Sequence, residues 1–191
     1  MLFFLGEPHG LGFNPQEASN RYAGRWALRA LMLALAVSPL AEMTGRRWLI
    51  QYRRMIGLFA FFYVCLHLTS YLALDLAFDW AALWDDVLER TYITLGMTAF
   101  ALLLPLAATS TKGWIKRLGA RRWQRLHRLV YAAGALAATH FLMLAKGNQL
   151  EPKIYAGIMA LLLGYRLLRY LRRVGKLRKP SPPSSTPSSS S

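Results

Sequence analysis

Long apolar runs alternate with short charged ones along this chain. A helix that crosses a hydrocarbon core needs roughly twenty predominantly apolar residues. Five stretches meet or approach that length: 25–41, 55–74, 92–109, 121–145 and 154–171. The pattern predicts an all-α integral membrane helical bundle with five full transmembrane helices in a domain spanning 25–171. Pro39 falls late in the first run, where a helix about to stop tolerates it. Residues 1–24, rich in Gly, Pro and Asn, are expected to be irregular, with MLFFL the stub of something apolar. MLFFL is too short to be the apolar core of a cleavable signal peptide. Residues 172–191 pass from a basic cluster into PSPPSSTPSSSS, a composition that predicts disorder. Between the second and third runs, DLAFDWAALWDDVLER predicts an amphipathic stretch lying at the membrane interface on Trp80 and Trp84.

Charge orients the runs. The loops at 42–54 and 110–125 and the segment after 171 are strongly basic, 75–90 is acidic, and 146–153 is nearly neutral. The positive-inside bias then places the C-terminus and both basic loops in the cytoplasm, with the acidic loop outside. Five spans put the N-terminus outside, and a first span lost to truncation or a late start site would account for that. The formal net charge of +15 in 191 residues that are 54% hydrophobic fits this layout better than nucleic-acid binding. A nucleic-acid footprint would be continuous, whereas here the basic residues are divided by apolar spans. The single cysteine, Cys65, excludes a disulfide framework or a thiolate cluster.

Histidines are the chemistry left inside the spans. His127 and His140 are expected on one continuous helix, thirteen residues and about 20 Å apart at ~1.5 Å per residue. His67 lies thirteen residues past Arg54, and His140 fifteen past Arg125. On two helices that both start at the cytoplasmic face, these two imidazoles reach the same depth to within a turn. Equal depth suits a haem iron clamped from both sides. A bare metal wants three or four ligands, and apart from Cys65 no thiol or carboxylate lies at that depth. The bland alternative, in which an intramembrane histidine only bonds a neighbouring helix, is favoured for any histidine taken singly. Depth matching favours the clamp.

His127, near the cytoplasmic boundary, is read either as an interfacial histidine or as the ligand of a second, inner centre. Its opposite number is Arg53, which cannot ligate iron but could pair with a haem propionate or a flavin phosphate. Thirteen residues at ~100° each leave His127 and His140 about 140° apart around an ideal helix, so facing one partner needs either a local distortion, near Gly134, or a tilt of the helix. His9 is expected to be exposed and without a role. Glu151–Pro152 is read as a turn in preference to a contact with a partner.

Several segments together resemble a known family: NP (14–15), GRWAL (24–28), RRMIGL (53–58), LHLTSY (66–71), RTYITLG (90–96), TS (109–110), RLGARRWQRLHRLVY (117–131), His140 and EPKIYAG (151–157). They look like the MsrQ (YedZ) family, haem-binding membrane subunits of the periplasmic protein-methionine-sulfoxide reductase system, within the ferric reductase-like transmembrane superfamily. The resemblance implies six spans, of which this chain shows five with the first truncated. It implies two histidine pairs stacking b-type haems, with His67 and His140 matching the outer pair and His127 one inner position. Arg53 stands where the superfamily has the other inner histidine. One haem b is expected, a second is left open, and FMN is associated with the family. The implied function is electron transfer from a quinol or a cytosolic flavin reductase to a periplasmic molybdenum reductase of the MsrP type, with this chain as the electron-transfer subunit. The acidic loop 75–90 is a docking candidate for that partner, against the simpler account that positive charge is excluded from outer loops. The competing class is a cofactor-free membrane protein, a transporter or an assembly partner embedded in lipid. It would need a polar pathway inside the spans.

Overall fold

The computed structural model describes residues 15–145 and 149–177. Among these there are seven helices and no strand: α1 (Pro15–Met43), α2 (Tyr52–Ser70), α3 (Trp80–Glu89), α4 (Thr91–Ala108), α5 (Lys112–Leu126), α6 (Leu129–Met143) and α7 (Leu150–Leu177). α1, α2 with its flanking turns, α4 and α7 are long and apolar enough to cross a membrane, and α6 is a shorter apolar helix. His9 and the Ser/Pro-rich residues 180–191 lie outside the described residues, while 172–177, expected to be disordered, continue α7.

α1 is the helix the others surround. It packs on α2, α6 and α7 and contributes Leu28, Met32 and Leu35 to a core with Ala138, Tyr155 and Met159. A second cluster joins Ala30 and Leu31 to Ala60, Leu103, Leu106 and Ala133. Alanine is frequent at these contacts because helices in lipid gain stability from close backbone approach rather than from expelling water. Gly134 belongs to this packing: a Cβ there would meet the Met159 sulfur at 3.2 Å and Leu35 at 3.4 Å.

Side-chain contacts fix the directions of the helices. Asn20 near the start of α1 bonds Asp75, which follows α2 (3.2 Å), while Arg53 in the first turn of α2 meets Ser38 late in α1 (3.4 Å). These two helices are antiparallel. Glu151 at the start of α7 pairs with Arg25 (3.3 Å) and Arg29 (3.6 Å), and Arg169 pairs with Glu42, so α7 runs parallel to α1. The basic loops 42–54 and 110–125 therefore share one end of the bundle, and α3 lies at the other.

The structure corrects three further expectations. Residues 15–24 are helical, so α1 begins well before residue 25, and α7 starts at Leu150 with Glu151 in an ion pair rather than a turn. The segment 121–145 is not one helix. It breaks at His127–Arg128, where backbone bonds shorten to the three-residue pattern (Arg128 to Arg125, Tyr131 to Arg128). The distortion expected at Gly134 therefore sits seven residues earlier, and α6 is left with fifteen residues, about 22 Å of rise. α5 is itself kinked at Gly119, whose φ of 73° is one that glycine adopts without strain.

Pro39 lies late in α1, which stops at Met43, as its place in the apolar run predicts. Proline has no N–H for the carbonyl four residues earlier, which is that of Leu35. Arg166 of α7 supplies the donor at 2.8 Å, and its other terminal nitrogen donates to the Tyr131 hydroxyl at 2.6 Å. A buried acceptor left without a partner costs about 1–3 kcal/mol. Arg166→Met should therefore lower the stability of the detergent-solubilised protein by an amount of that order in thermal unfolding. Pro39→Ala, which restores the helical N–H, should remove much of that loss.

Candidate functional site

Two of the four residues singled out from the sequence, His67 and His140, come together. His67 is on the last turns of α2 and His140 on the last turns of α6, at the end of the bundle where α3 lies. Their ring centres are 6.3 Å apart and the planes make 74°. Each is anchored the same way. Nδ1 of His67 lies 3.0 Å from the Asn20 carbonyl, and Nδ1 of His140 lies 2.6 Å from the Tyr92 carbonyl. A carbonyl only accepts, so each Nδ1 carries the proton and each Nε2 keeps its lone pair. This is the state of a ligating histidine whose second nitrogen is held by the protein.

The spacing fits one metal between the rings. Imidazole nitrogens sit about 2.0–2.1 Å from a bound metal such as zinc, and in a ring with bonds near 1.33 Å each nitrogen is roughly 1.1 Å from the centre. Two such rings on opposite sides of one ion have centres about 6.3 Å apart. No group of three or more His, Cys, Asp or Glu suited to a metal occurs among the described residues, so a bare ion would have too few protein ligands. A planar macrocycle that supplies its own equatorial nitrogens needs only the two axial ones.

The surroundings on α2 are built to turn the chain sharply just past His67. Residues Tyr71–Asp75 form a wide π-turn, a feature that often marks functional positions. Ala77 and Phe78 follow with φ of 47° and 62°, and the Phe78 amide closes the turn on the Leu72 carbonyl (2.8 Å). This places Asp75 on Asn20, the residue whose carbonyl holds His67. The acids of the segment 75–90 are partly occupied in the same way. Asp79 caps α3 through the Ala81 and Ala82 amides, and Asp86 takes the Tyr71 hydroxyl and Arg90. Asp85 and Glu89 take no part in these contacts.

His127 and Arg53 occupy the other end and are not brought into a pair. His127 caps α5 and stacks on Trp123 at 3.8 Å. Its Nδ1 is 3.1 Å from the Trp123 carbonyl and its Nε2 3.5 Å from the Ser110 hydroxyl oxygen, with the Leu106 carbonyl a further neighbour. Both its nitrogens thus face oxygens of the protein, unlike those of His67 and His140. Arg53 reaches Ser38 and lies close enough for its charge to act on both His127 and Arg166.

Four residues of the site went unread in the sequence: Asn20 and Tyr92, which act through their carbonyls, and Gly24 and Gly96, which touch the two imidazoles. A main-chain carbonyl leaves no mark in a sequence. The glycines do, in GRWAL and RTYITLG, but a glycine in an apolar helix has many explanations.

Comparison with known proteins gives one picture. Residues 23–138 match the family described as ferric reductase like transmembrane component. A protein of Rhodospirillum rubrum named "Protein-methionine-sulfoxide reductase heme-binding subunit MsrQ" is 52% identical over 171 residues, covering 90% of this chain and 82% of the relative. Proteins of the same name from Xanthomonas campestris pv. campestris (49% identical over 178 residues, 93% of this chain and 81% of the relative) and Xanthomonas oryzae pv. oryzae (48% over the same length) are similar throughout as well. With a family match over more than half its length and near-50% identity across nine-tenths of it, the chain belongs to the ferric reductase-like transmembrane family and, within it, to the MsrQ family.

Proposed function

We propose that this chain is the b-type haem membrane subunit of a protein-methionine-sulfoxide reductase system and carries electrons across the bacterial inner membrane. The observation that supports this most is the His67–His140 clamp: two imidazoles at the spacing of axial ligands, each with Nδ1 committed to a carbonyl. Haem b held there would supply reversible one-electron chemistry, its potential tuned by the axial ligands and their hydrogen bonds. The chain's own residues fix both ligand tautomers and surround the pair with apolar helices. The names of the relatives support the cofactor and the reductase system.

In this reading the basic loops face the cytoplasm, where a quinol or a soluble flavin reductase delivers electrons. α3 faces the periplasm, where a molybdenum reductase of the MsrP type accepts them and repairs oxidised methionines, a reversible lesion. Asp85 and Glu89 are then the acids of α3 best placed to steer that partner. The sulfoxide chemistry belongs to the partner, and this chain is the electron-transfer subunit. The inner position is read as a relay built on His127 with Arg53 beside it. An inner haem ligated by His127, or FMN with its phosphate on Arg53, is a second reading; the charge of Arg53, which acts on His127 and Arg166, suits the anionic group of such a cofactor. A cofactor-free transporter would want polar groups along its spans, but the described residues include no fully buried polar or charged side chain.

The purified protein should show b-type bands in a reduced-minus-oxidised absorbance spectrum, and their absence sinks the proposal. His67→Ala and His140→Ala should each abolish the outer haem signal. His127→Ala should leave it in place, and a loss of half the haem per chain in that variant would instead assign a second haem to the inner position.

A further inference from the structure

The two clamp histidines are seated in the same way on two different helices. A Cβ built on Gly24 of α1 would lie 3.1 Å from both Cε1 and Nδ1 of His67. A Cβ on Gly96 of α4 would lie 3.0 Å from Nδ1 and 3.1 Å from Cε1 of His140. The same two ring atoms meet the glycine each time. The carbonyl that accepts Nδ1 also stands at the same offset, four residues before the glycine: Asn20 for Gly24 and Tyr92 for Gly96.

Helix geometry explains the offset. The carbonyl of residue i already accepts the N–H of residue i+4, and its second lone pair can take one more donor. A side chain at i+4 projects back toward the preceding turn, over the approach to that lone pair. Removing the side chain opens a notch through which a ring from another helix can reach the carbonyl edge-on. Neither glycine has a positive φ, so backbone freedom does not require them. A mid-helix glycine also destabilises a helix relative to alanine. Not every helical glycine here is of this kind: around Gly57 a Cβ would meet nothing within 4 Å.

We propose that Asn20–Gly24 and Tyr92–Gly96 form two equivalent notches, and that Gly24 and Gly96 are positioning residues for the haem ligands. They set how closely each imidazole docks on its helix and hold the proton on Nδ1, leaving Nε2 for iron. The proposal rests on the haem reading above and extends it to residues that never touch the iron. An added methyl pushes the ring off its carbonyl, weakening the Nδ1–H···O bond and making the imidazole a poorer donor to ferric iron.

The test compares Gly24→Ala, Gly96→Ala and, as control, Gly57→Ala in the purified full chain. The first two should raise the haem midpoint potential or weaken haem retention roughly 10–100-fold, the range for loss of a ligand's supporting contact. Gly57→Ala should match the parent. A parent protein with b-type bands whose potential and haem content are indifferent to Gly24→Ala and Gly96→Ala overturns the notches alone, whereas a parent without such bands overturns the haem reading. Should either alanine variant fail to accumulate, the thermal stability and yield of the apoprotein decide. Gly24→Ala in a His67→Ala background, and Gly96→Ala in a His140→Ala background, should cost nothing further. An equal loss in those backgrounds overturns the proposal, because the methyl would then be clashing with something other than the imidazole.

Discussion

A polar hydrogen in hydrocarbon has to be given to an acceptor, and the arrangement of this bundle follows from where its donors go. Each clamp histidine gives its N–H to a carbonyl of a neighbouring helix that is already part of a helical ladder. The bond does two jobs. It satisfies the imidazole where water cannot, and it settles which nitrogen keeps a lone pair. Because the accepting carbonyls belong to α1 and α4, the two histidines on α2 and α6 are placed by neighbouring helices. The same rule governs the opposite end. Pro39 leaves the Leu35 carbonyl without its helical donor, and Arg166 of α7 fills the position.

This explains why α1 is central. The apolar pattern ranks it as one span among five, and its Pro39 suggests a helix about to end. In the bundle it touches α2, α6 and α7, supplies one histidine's anchor, and ties to α7 at both ends through Glu151 and Glu42. Much of α2 and α7 faces outward, with Phe59, Phe62, Leu66, Leu161 and Leu168 exposed, as suits side chains in contact with lipid.

What the sequence made legible was what depends on period and depth. Apolar runs located the spanning helices, loop charge grouped the basic loops at one end, and counting residues from the basic boundary matched His67 to His140. The features it concealed depend on contacts between helices. The break at His127–Arg128 carries neither proline nor glycine and comes from repacking of backbone bonds, so the expectation fell on Gly134, which serves helix packing instead. Counting residues also set Arg53 opposite His127, but the side chains there turn to Ser38, Ser110 and the Trp123 carbonyl. Register gives the level of a residue, while rotation about the helix decides whom it meets.

The central claim is that one iron is held between His67 and His140. Low-temperature electron paramagnetic resonance of the oxidised protein tests it most directly, since two neutral imidazoles make ferric haem low-spin. Planes at 74° leave the iron dπ orbitals close in energy, so the account predicts a strongly anisotropic low-spin signal. A high-spin ferric signal from the parent protein, marking a haem with fewer than two strong axial ligands, would contradict it.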